Sequence, residues 1–587
     1  MMMEGLSQPV TVTTVFDDHA PRDRTPVAAA KSDGQFRLML CGGFFMFAFA
    51  VMILRLGYLA FGMDDEIRLI RVENAVPIRP EVVDRNGRPL IMNSSAEGLA
   101  IDGRDIWDVE EAVSGLQGLF PTIDADRLRT RLAKKQYTLV MDSIQPEERQ
   151  AVIALGLPGL RFPDTTGRAY PQRDLAAHVV GYTIPGRGGV VGVEKALDLT
   201  MKPGAKGPVR LSIDLVAQQV LEDELAGALQ TFSAKAAWGV LLDANTGEVR
   251  ALASLPDYNP NQPGSADTGA WRNRAMSDVY EMGSAFKPIT VAAALENGVI
   301  ELTDQFDVAT PLKIGAWTID DYSHKKSPMT TAEVVQYSSN IGTIQIVQRL
   351  GVDGFRAVLE TLNLDRPLAT ELAEAGTPML SKEWRPSELA SSSYGHGIAV
   401  SPLQLTAAFA AVVNGGTYYA PTFIDGGAGK QHQAFSRATS DQMRIVLRKT
   451  VTDGTGGKAE VAGFYPIGKT STADKPGIGG YDDHGELISS FIGAFPGYDP
   501  QYVLLVSFDE PQGIESTYGY ATAGYVAAPV FKRVVERVAP ALGLMPVGDD
   551  VAFDGFVGLR REQGDRQLTD NNALTALLTE TEIDEAQ

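Results

Sequence analysis

Residues 38–54 read LMLCGGFFMFAFAVMIL, seventeen residues without a charge, and beyond Arg55 the run LGYLAF carries the apolar stretch to residue 61. That length spans about 30 Å of hydrocarbon. In lipid a single segment satisfies its own backbone N–H and C=O groups only by coiling into a helix, so no other stretch constrains the fold as tightly. The competing reading is a cleaved signal peptide with Ala60-Phe61-Gly62 as a small-x-small site. The apolar run exceeds a usual signal core and follows roughly 37 mostly polar residues, which favours a retained anchor over residues 37–61 behind a tail of residues 1–36. Charge does not set its orientation, because Arg22, Arg24, Lys31 and Arg37 on one side are nearly matched by Arg68, Arg71 and Arg79 on the other.

A chain of 587 residues, 44% hydrophobic, needs more than one core, and roughly two to four folded units are expected. The formal charge of −21 repels a phosphate backbone, and no basic stripe with interleaved aromatics offsets it, which argues against nucleic acid as a partner. The single cysteine, Cys41, lies inside the apolar run, so neither a disulfide framework nor a thiolate metal site is available. The six histidines, at 19, 178, 324, 396, 432 and 484, form no H-E-x-x-H or other ligand-spaced pair. Neither a metal nor a cofactor is expected.

After the anchor, residues 62–207 mix strand-like runs (YTLVMD, 137–142) with helical ones (PEERQAVIAL, 146–155), the pattern of an irregular α+β domain. A second pattern begins near Val209, where a strand precedes an amphipathic helix. WGVLLDANTGEVRALAS (238–254) then reads as two strands around an Asn245-Thr246-Gly247 turn, and SSFIGAFPGYDPQYVLLVSFDEP (489–511) as two more, followed by a helix. An antiparallel sheet framed by its first and last helices is the expected packing. The Asp- and Glu-rich residues 546–587 are expected to be largely disordered.

Three short elements stand in order within this second pattern: Ser284-Ala-Phe-Lys287, Ser338-Ser-Asn340 and Lys469-Thr-Ser471. Any one alone is weak, since a second S-x-x-K occurs at 323–326 and a second Lys-Thr at Lys449-Thr450. Context separates them. Ser284 opens the apolar segment KPITVAAALENG, so Ser284 and Lys287 share one face at a helix start, where a desolvated amine can take the serine proton. The copy at 323–326 lies in DYSHKKSP, too polar to offer such a pocket. Ser338 and Asn340 end TTAEVVQYSSN, where a helix presents a hydroxyl and an amide to one cleft; alone they would read as a helix terminus satisfying backbone groups.

Residues 463–470, GFYPIGKT, also fit the phosphate-binding pattern G-x-x-x-x-G-K-[ST] at every fixed position. That loop must feed a helix whose N-terminus faces phosphate, whereas STADKPGIGGYDDHG follows here, and a strand edge is expected instead. Ser284 lacks the G-x-S-x-G elbow of a serine-histidine hydrolase.

Together the three elements resemble the S-x-x-K, S-x-N and K-T-G set of penicillin-binding proteins and serine β-lactamases. DRNGRPL (84–90), RAYP with HVVGY and GVEKALD (168–198), SYGHGIAVSPLQLTAAFAAVVNGG (393–416) and VTDGTGGKAEVAGFYPIGKTSTA (451–473) resemble the class B penicillin-binding proteins in their division-specific branch. The similarity runs from the anchor to about residue 540. It implies an α+β protein with a transmembrane helix, an irregular α+β pedestal (dimerisation-like) domain over 62–207, and a transpeptidase domain over 208–545. The last is implied to be an antiparallel sheet flanked by helices, as in serine β-lactamases.

The resemblance also implies an inner-membrane protein with a cytoplasmic tail and a periplasmic catalytic domain. Its partners would be peptidoglycan stem peptides, β-lactams, the membrane, a glycosyltransferase and other division proteins. Ser284 would attack the penultimate D-alanine carbonyl with Lys287 as base, and Ser338 would pass the proton to the departing D-alanine. Asn340 would hold the peptide amide, Lys469 would supply positive potential, and Thr470 and Thr472 would bind the terminal carboxylate. The N–H groups of Ser284 and Thr472 would form the oxyanion hole.

The chain departs from the family pattern at Arg79-Pro80, where Arg-Gly is usual, at Met282, where proline is usual, and at Ser471, where glycine is usual. A side chain at 471 either crowds the substrate strand or turns away from the cleft, and strand alternation favours the second. An elongation-type relative would share every catalytic residue. A penicillin-recognising division component with vestigial acylation is a further alternative, set against by catalytic residue types that are intact at every position except Ser471. A class A β-lactamase would need a deacylating glutamate that nothing here identifies.

Overall fold

The computed structural model describes residues 31–61, 79–200, 207–315, 317–322, 327–427, 429–475, 486–549 and 551–552. Most of the expected N-terminal tail, the second S-x-x-K at 323–326 and most of the acidic tail lie outside the described residues. Two units are compact in themselves, up to Ile78 and from Arg79 onward.

In the first unit, α1 (Lys31–Phe61) is one helix containing the apolar window Met39–Gly57, with a mean hydropathy of 2.1. Phe44, Phe45, Met46, Phe47, Ile53 and Leu54 are all exposed, as a helix wrapped in lipid rather than in protein would require.

The second unit begins with two small sheets. Strand β1 (Val82–Val83) pairs antiparallel with β2 (Pro89–Glu97), while β3 (Leu99–Asp102) lies between β4 (Tyr137–Met141) and β5 (Leu160–Arg161). Helices α2 (Val109–Leu119), α3 (Ala125–Ala133) and α4 (Pro146–Ala154) surround the core of the second sheet, burying Leu116, Leu132 and Val152 with Leu99, Ile101 and Val140. The helix starts are sequence-encoded: Asp108 and Asp124 each accept first-turn N–H groups. Strand β6 (Asp164–Ala169) flanks β2 in the first sheet, whose other edge is Val209–Arg210, parallel to β1, and α5 (Gly192–Thr200) follows β6. Glu194, fully buried on α5, receives Arg79 at 2.6 Å and Arg168 at 2.8 Å, so the pair Arg79-Pro80 keeps a structural arginine in place.

Beyond α6 (Leu215–Thr231) lies the five-stranded sheet. Its strands are β7 (Ala236–Asp243), β8 (Val249–Leu255), β9 (Ile467–Asp474), β10 (Leu487–Phe495) and β11 (Tyr502–Asp509), in the order β8-β7-β11-β10-β9, every neighbour antiparallel. Alternation along β7 sends Ala237 and Leu241 to one face and Trp238, Val240 and Leu242 to the other. The first face is covered by α6 and α11 (Ala527–Ala541), the last helix of the sheet's unit among the described residues, through Leu221, Leu225, Phe531, Val534 and Val538. The fold is therefore the expected α+β one, with its sheet framed by its first and last helices. The other face carries the larger core, including α7 (Lys287–Glu296), α9 (Asn340–Thr361) and α10 (Pro402–Val413). Strand β9 is an edge, and this positions the site.

Candidate active site

The chain reaches the site through four separate segments. Tyr280 stacks on Trp238 of the sheet at a centroid distance of 4.4 Å, which fixes the segment leading to Ser284. Gly283 then takes φ +49°, its N–H donates to Gly395 O at 3.2 Å, and a Cβ there would meet Ser471 Oγ at 2.8 Å, so glycine is required. A single 3₁₀ turn, Gly283–Phe286, follows, and the α-helix starts only at Lys287. Ser284 is half-buried and Lys287 fully buried.

Helix α8 (Thr331–Gln336) begins with a capping box, Thr330 accepting the Glu333 N–H while the Glu333 side chain accepts the Thr330 N–H. The chain then turns sharply, Ser338 adopting φ +63°. Ser339 caps α9 by accepting the Gly342 N–H at 2.9 Å, and Asn340 is the first residue of α9. Asp321, from a different part of the chain, accepts the Ser339 O–H at 2.5 Å, the Asn340 N–H at 2.5 Å and the Ile341 N–H at 3.1 Å.

Lys287 Nζ donates to Ser338 O, to Ser338 Oγ at 3.1 Å and to Asn340 Oδ1 at 2.8 Å. Ser338 Oγ in turn donates to Ser284 Oγ at 3.0 Å. The amine expected beside the nucleophile is therefore linked to it through Ser338. Asn340 Nδ2 donates to Asp320 O at 3.2 Å, which turns Oδ1 towards the lysine. Two of the three Lys287 partners are carbonyl oxygens, which can only accept. In the neutral amine they take both protons and leave the lone pair facing the Ser338 hydroxyl.

Burial pushes the Lys287 amine well below the ordinary lysine value, and the Lys469 charge adds to this while Asp321 opposes it. Lys469 is itself lowered to about 7 by burial. Its Nζ donates to Thr470 O at 3.0 Å.

Strand β9 presents the third element. Thr470 Oγ1 shares a 2.6 Å hydrogen bond with Thr455 Oγ1, and exposed Thr472 accepts the Ala523 N–H at 3.1 Å. Ser471 is turned to the opposite face, 2% exposed, and donates to Met282 O at 2.6 Å. Of the two orientations open to it, the structure has the one that leaves the cleft. That face packs on the turn carrying Ser284.

Lys469 and Thr470 sit inside a strand rather than at a helix N-terminus, so residues 463–470 lack the geometry that holds phosphate. His178 is a core histidine, its Nε2 within 2.7 Å of Ala270 O and its pKa lowered to about 4 by burial. Among the described residues no group of three or more His, Cys, Asp or Glu could hold a metal ion.

The structure thus joins Ser284, Lys287, Ser338 and Asn340 by hydrogen bonds and brings the charge of Lys469 to bear on Lys287, while Thr470 and Thr472 follow on the same edge strand and Ser471 packs against the turn carrying Ser284. The sequence reading passed over Asp321 and Thr455. Thr455 lies in a block already singled out, VTDGTGG, but Asp321 is the first residue of the polar segment dismissed as DYSHKKSP. No pattern marks it.

The family model described as the penicillin binding protein transpeptidase domain matches residues 237–536, and that of the penicillin-binding protein dimerisation domain matches residues 74–200. The chain is 36% identical over 542 residues to the probable peptidoglycan D,D-transpeptidase FtsI of Caulobacter vibrioides, covering 90% of this chain and 92% of that one. It is 32% identical to the probable peptidoglycan D,D-transpeptidase PenA of Neisseria gonorrhoeae, over 82% of this chain and 87% of the relative. The crystal structure of penicillin binding protein 3 from Mycobacterium tuberculosis complexed with aztreonam shares the fold. Its TM-score is 0.64 at 23% identity, covering 80% of this chain and 97% of the other.

Proposed function

This chain belongs to the class B penicillin-binding proteins, the serine-type peptidoglycan D,D-transpeptidases, and on that premise we propose that Ser284 is its acylated nucleophile. The observation that carries the reading is the hydrogen-bonded line Ser284–Ser338–Lys287, ending on an amine held below its ordinary pKa.

Neutral Lys287 takes the Ser338 hydroxyl proton as Ser338 takes that of Ser284, and Ser284 Oγ attacks the penultimate D-alanine carbonyl of a stem peptide. The N–H groups of Ser284 and Thr472 receive the developing oxyanion. The same line returns the proton to the nitrogen of the departing D-alanine, leaving an ester on Ser284. A neighbouring strand's amine then attacks the ester, gives up a proton, and restores the Ser284 hydroxyl. Lys469 supplies positive potential while Thr470 and Thr472 hold the substrate carboxylate, and the edge position of β9 lets an extended peptide lie beside it. Asn340 fixes Lys287 through Oδ1 and has an amide proton left for the substrate.

Residues 62–207 form the pedestal, 208–545 the transpeptidase domain and 546–587 a tail. The N-terminal helix anchors the protein to a membrane. We place it in the inner membrane, residues 1–36 in the cytoplasm and the catalytic domain in the periplasm, where β-lactams acylate Ser284. The likeness to FtsI supports a septal role beside a glycosyltransferase and other division proteins.

The test supplies full-length protein with a D-alanyl-D-alanine stem peptide and an amine acceptor. The reading requires one D-alanine released for each crosslink or hydrolysis event, with both lost in Ser284→Ala. Release that survives that substitution would refute it.

A further inference from the structure

We propose that Asp321 is a positioning residue for the proton relay: its buried carboxylate clamps the Ser338–Ser339–Asn340 turn and sets a negative charge against Lys287. The inference rests on the reading of Lys287 as base.

Ser338 holds a left-handed backbone conformation that a residue with a side chain adopts only where its surroundings enforce it. The enforcement comes from the residues immediately after it. Asp321 Oδ1 accepts two consecutive N–H groups, those of Asn340 and Ile341, and Oδ2 accepts the Ser339 hydroxyl. These bonds fix three successive residues after Ser338 to one rigid anion. The two N–H groups open helix α9, whose dipole favours negative charge there.

The adjacent carbonyl of Asp320 accepts from Asn340 Nδ2, which aims Oδ1 at Lys287. Residues 320 and 321 thereby orient both members of the relay that touch the lysine.

The charge has a separate effect. Lys287 is faced by Lys469 from the edge strand, by His396 from the loop after residue 394 and by Asp321. Burial and Lys469 lower its proton affinity, and Asp321 raises it. An amine pushed too low is a feeble base, so the carboxylate keeps Lys287 basic enough to accept the proton and stabilises the ammonium that results.

Asp321→Asn keeps the size and one accepting oxygen but removes the charge. In full-length protein the acid limb of the penicillin acylation profile should move to lower pH by roughly one unit, the order expected of a neighbouring opposite charge. A merely structural role would leave that limb in place. Asp321→Ala also releases the turn and should lower acylation at every pH by about tenfold or more. An unmoved acid limb in Asp321→Asn overturns the inference, whether or not the alanine variant folds. A wild-type profile with no acid limb, or Lys287→Ala acylating at the wild-type rate, overturns the base reading and the inference with it.

Discussion

Ser338 Oγ lies 3.0 Å from Ser284 Oγ, and Lys287 reaches the nucleophile through it. If the three form one line, Lys287→Ala and Ser338→Ala should each slow acylation by about 10² to 10⁴. The double variant should be no worse than the poorer single one, because members of a unit are not additive. Multiplying losses in stopped-flow acylation would mean two independent routes.

Ser471→Gly should lower stability by about 1–2 kcal/mol. It removes a hydrogen bond worth roughly 1 kcal/mol, leaving the Met282 carbonyl only the Ala285 N–H at 3.3 Å, and glycine in a strand costs roughly 0.5–1 kcal/mol more. Acylation by bulky and small β-lactams should change alike and only slightly. Thermal unfolding and rate measurements together check this. An unchanged melting temperature with a selective gain for bulky compounds would place the side chain in the cleft after all.

Acylation should rise and then fall with pH. Lys287 acts when neutral, and its pKa is depressed, so activity climbs as pH rises through a value well below that of ordinary lysine. Lys469 acts when charged and has a pKa of about 7, so attraction for the substrate carboxylate weakens as pH rises past it. Lys469→Arg holds its charge throughout and should abolish the alkaline fall. A persistent fall in second-order acylation rates, measured from about pH 5 to pH 10, would assign that limb to another group.

What could be read in advance follows the range of the interactions. The strands around Asn245-Thr246-Gly247 and the helices framing the sheet were legible, because alternation and helical spacing are local. The nucleophile's block was legible for the same reason, although the first turn is 3₁₀ and the hydrogen bonds of Lys287 run to Ser338 and Asn340, which spacing along the chain does not announce. The orientation of Ser471 followed from strand period alone. Its partner did not, since Met282 lies 189 residues away in the chain. Asp321 was illegible: an aspartate in a polar stretch looks solvated until the fold buries it against the start of α9.

Calorimetry should show no ATP binding at residues 463–470, because the lysine and threonine of that pattern lie in β9 with their hydrogen bonds taken within the strand and by Thr455. Micromolar affinity would revive the phosphate-loop reading.

The central claim is that Ser284 carries the acyl group. Intact-mass analysis after exposure to penicillin, followed by peptide mapping, should find a single long-lived adduct on Ser284, since a site that excludes hydrolytic water protects the ester. Ser284→Ala should show no adduct and unfold at nearly the wild-type temperature, one hydroxyl contributing little to the core. An adduct on Ser323, or wild-type protein that takes no penicillin at all, would contradict the account.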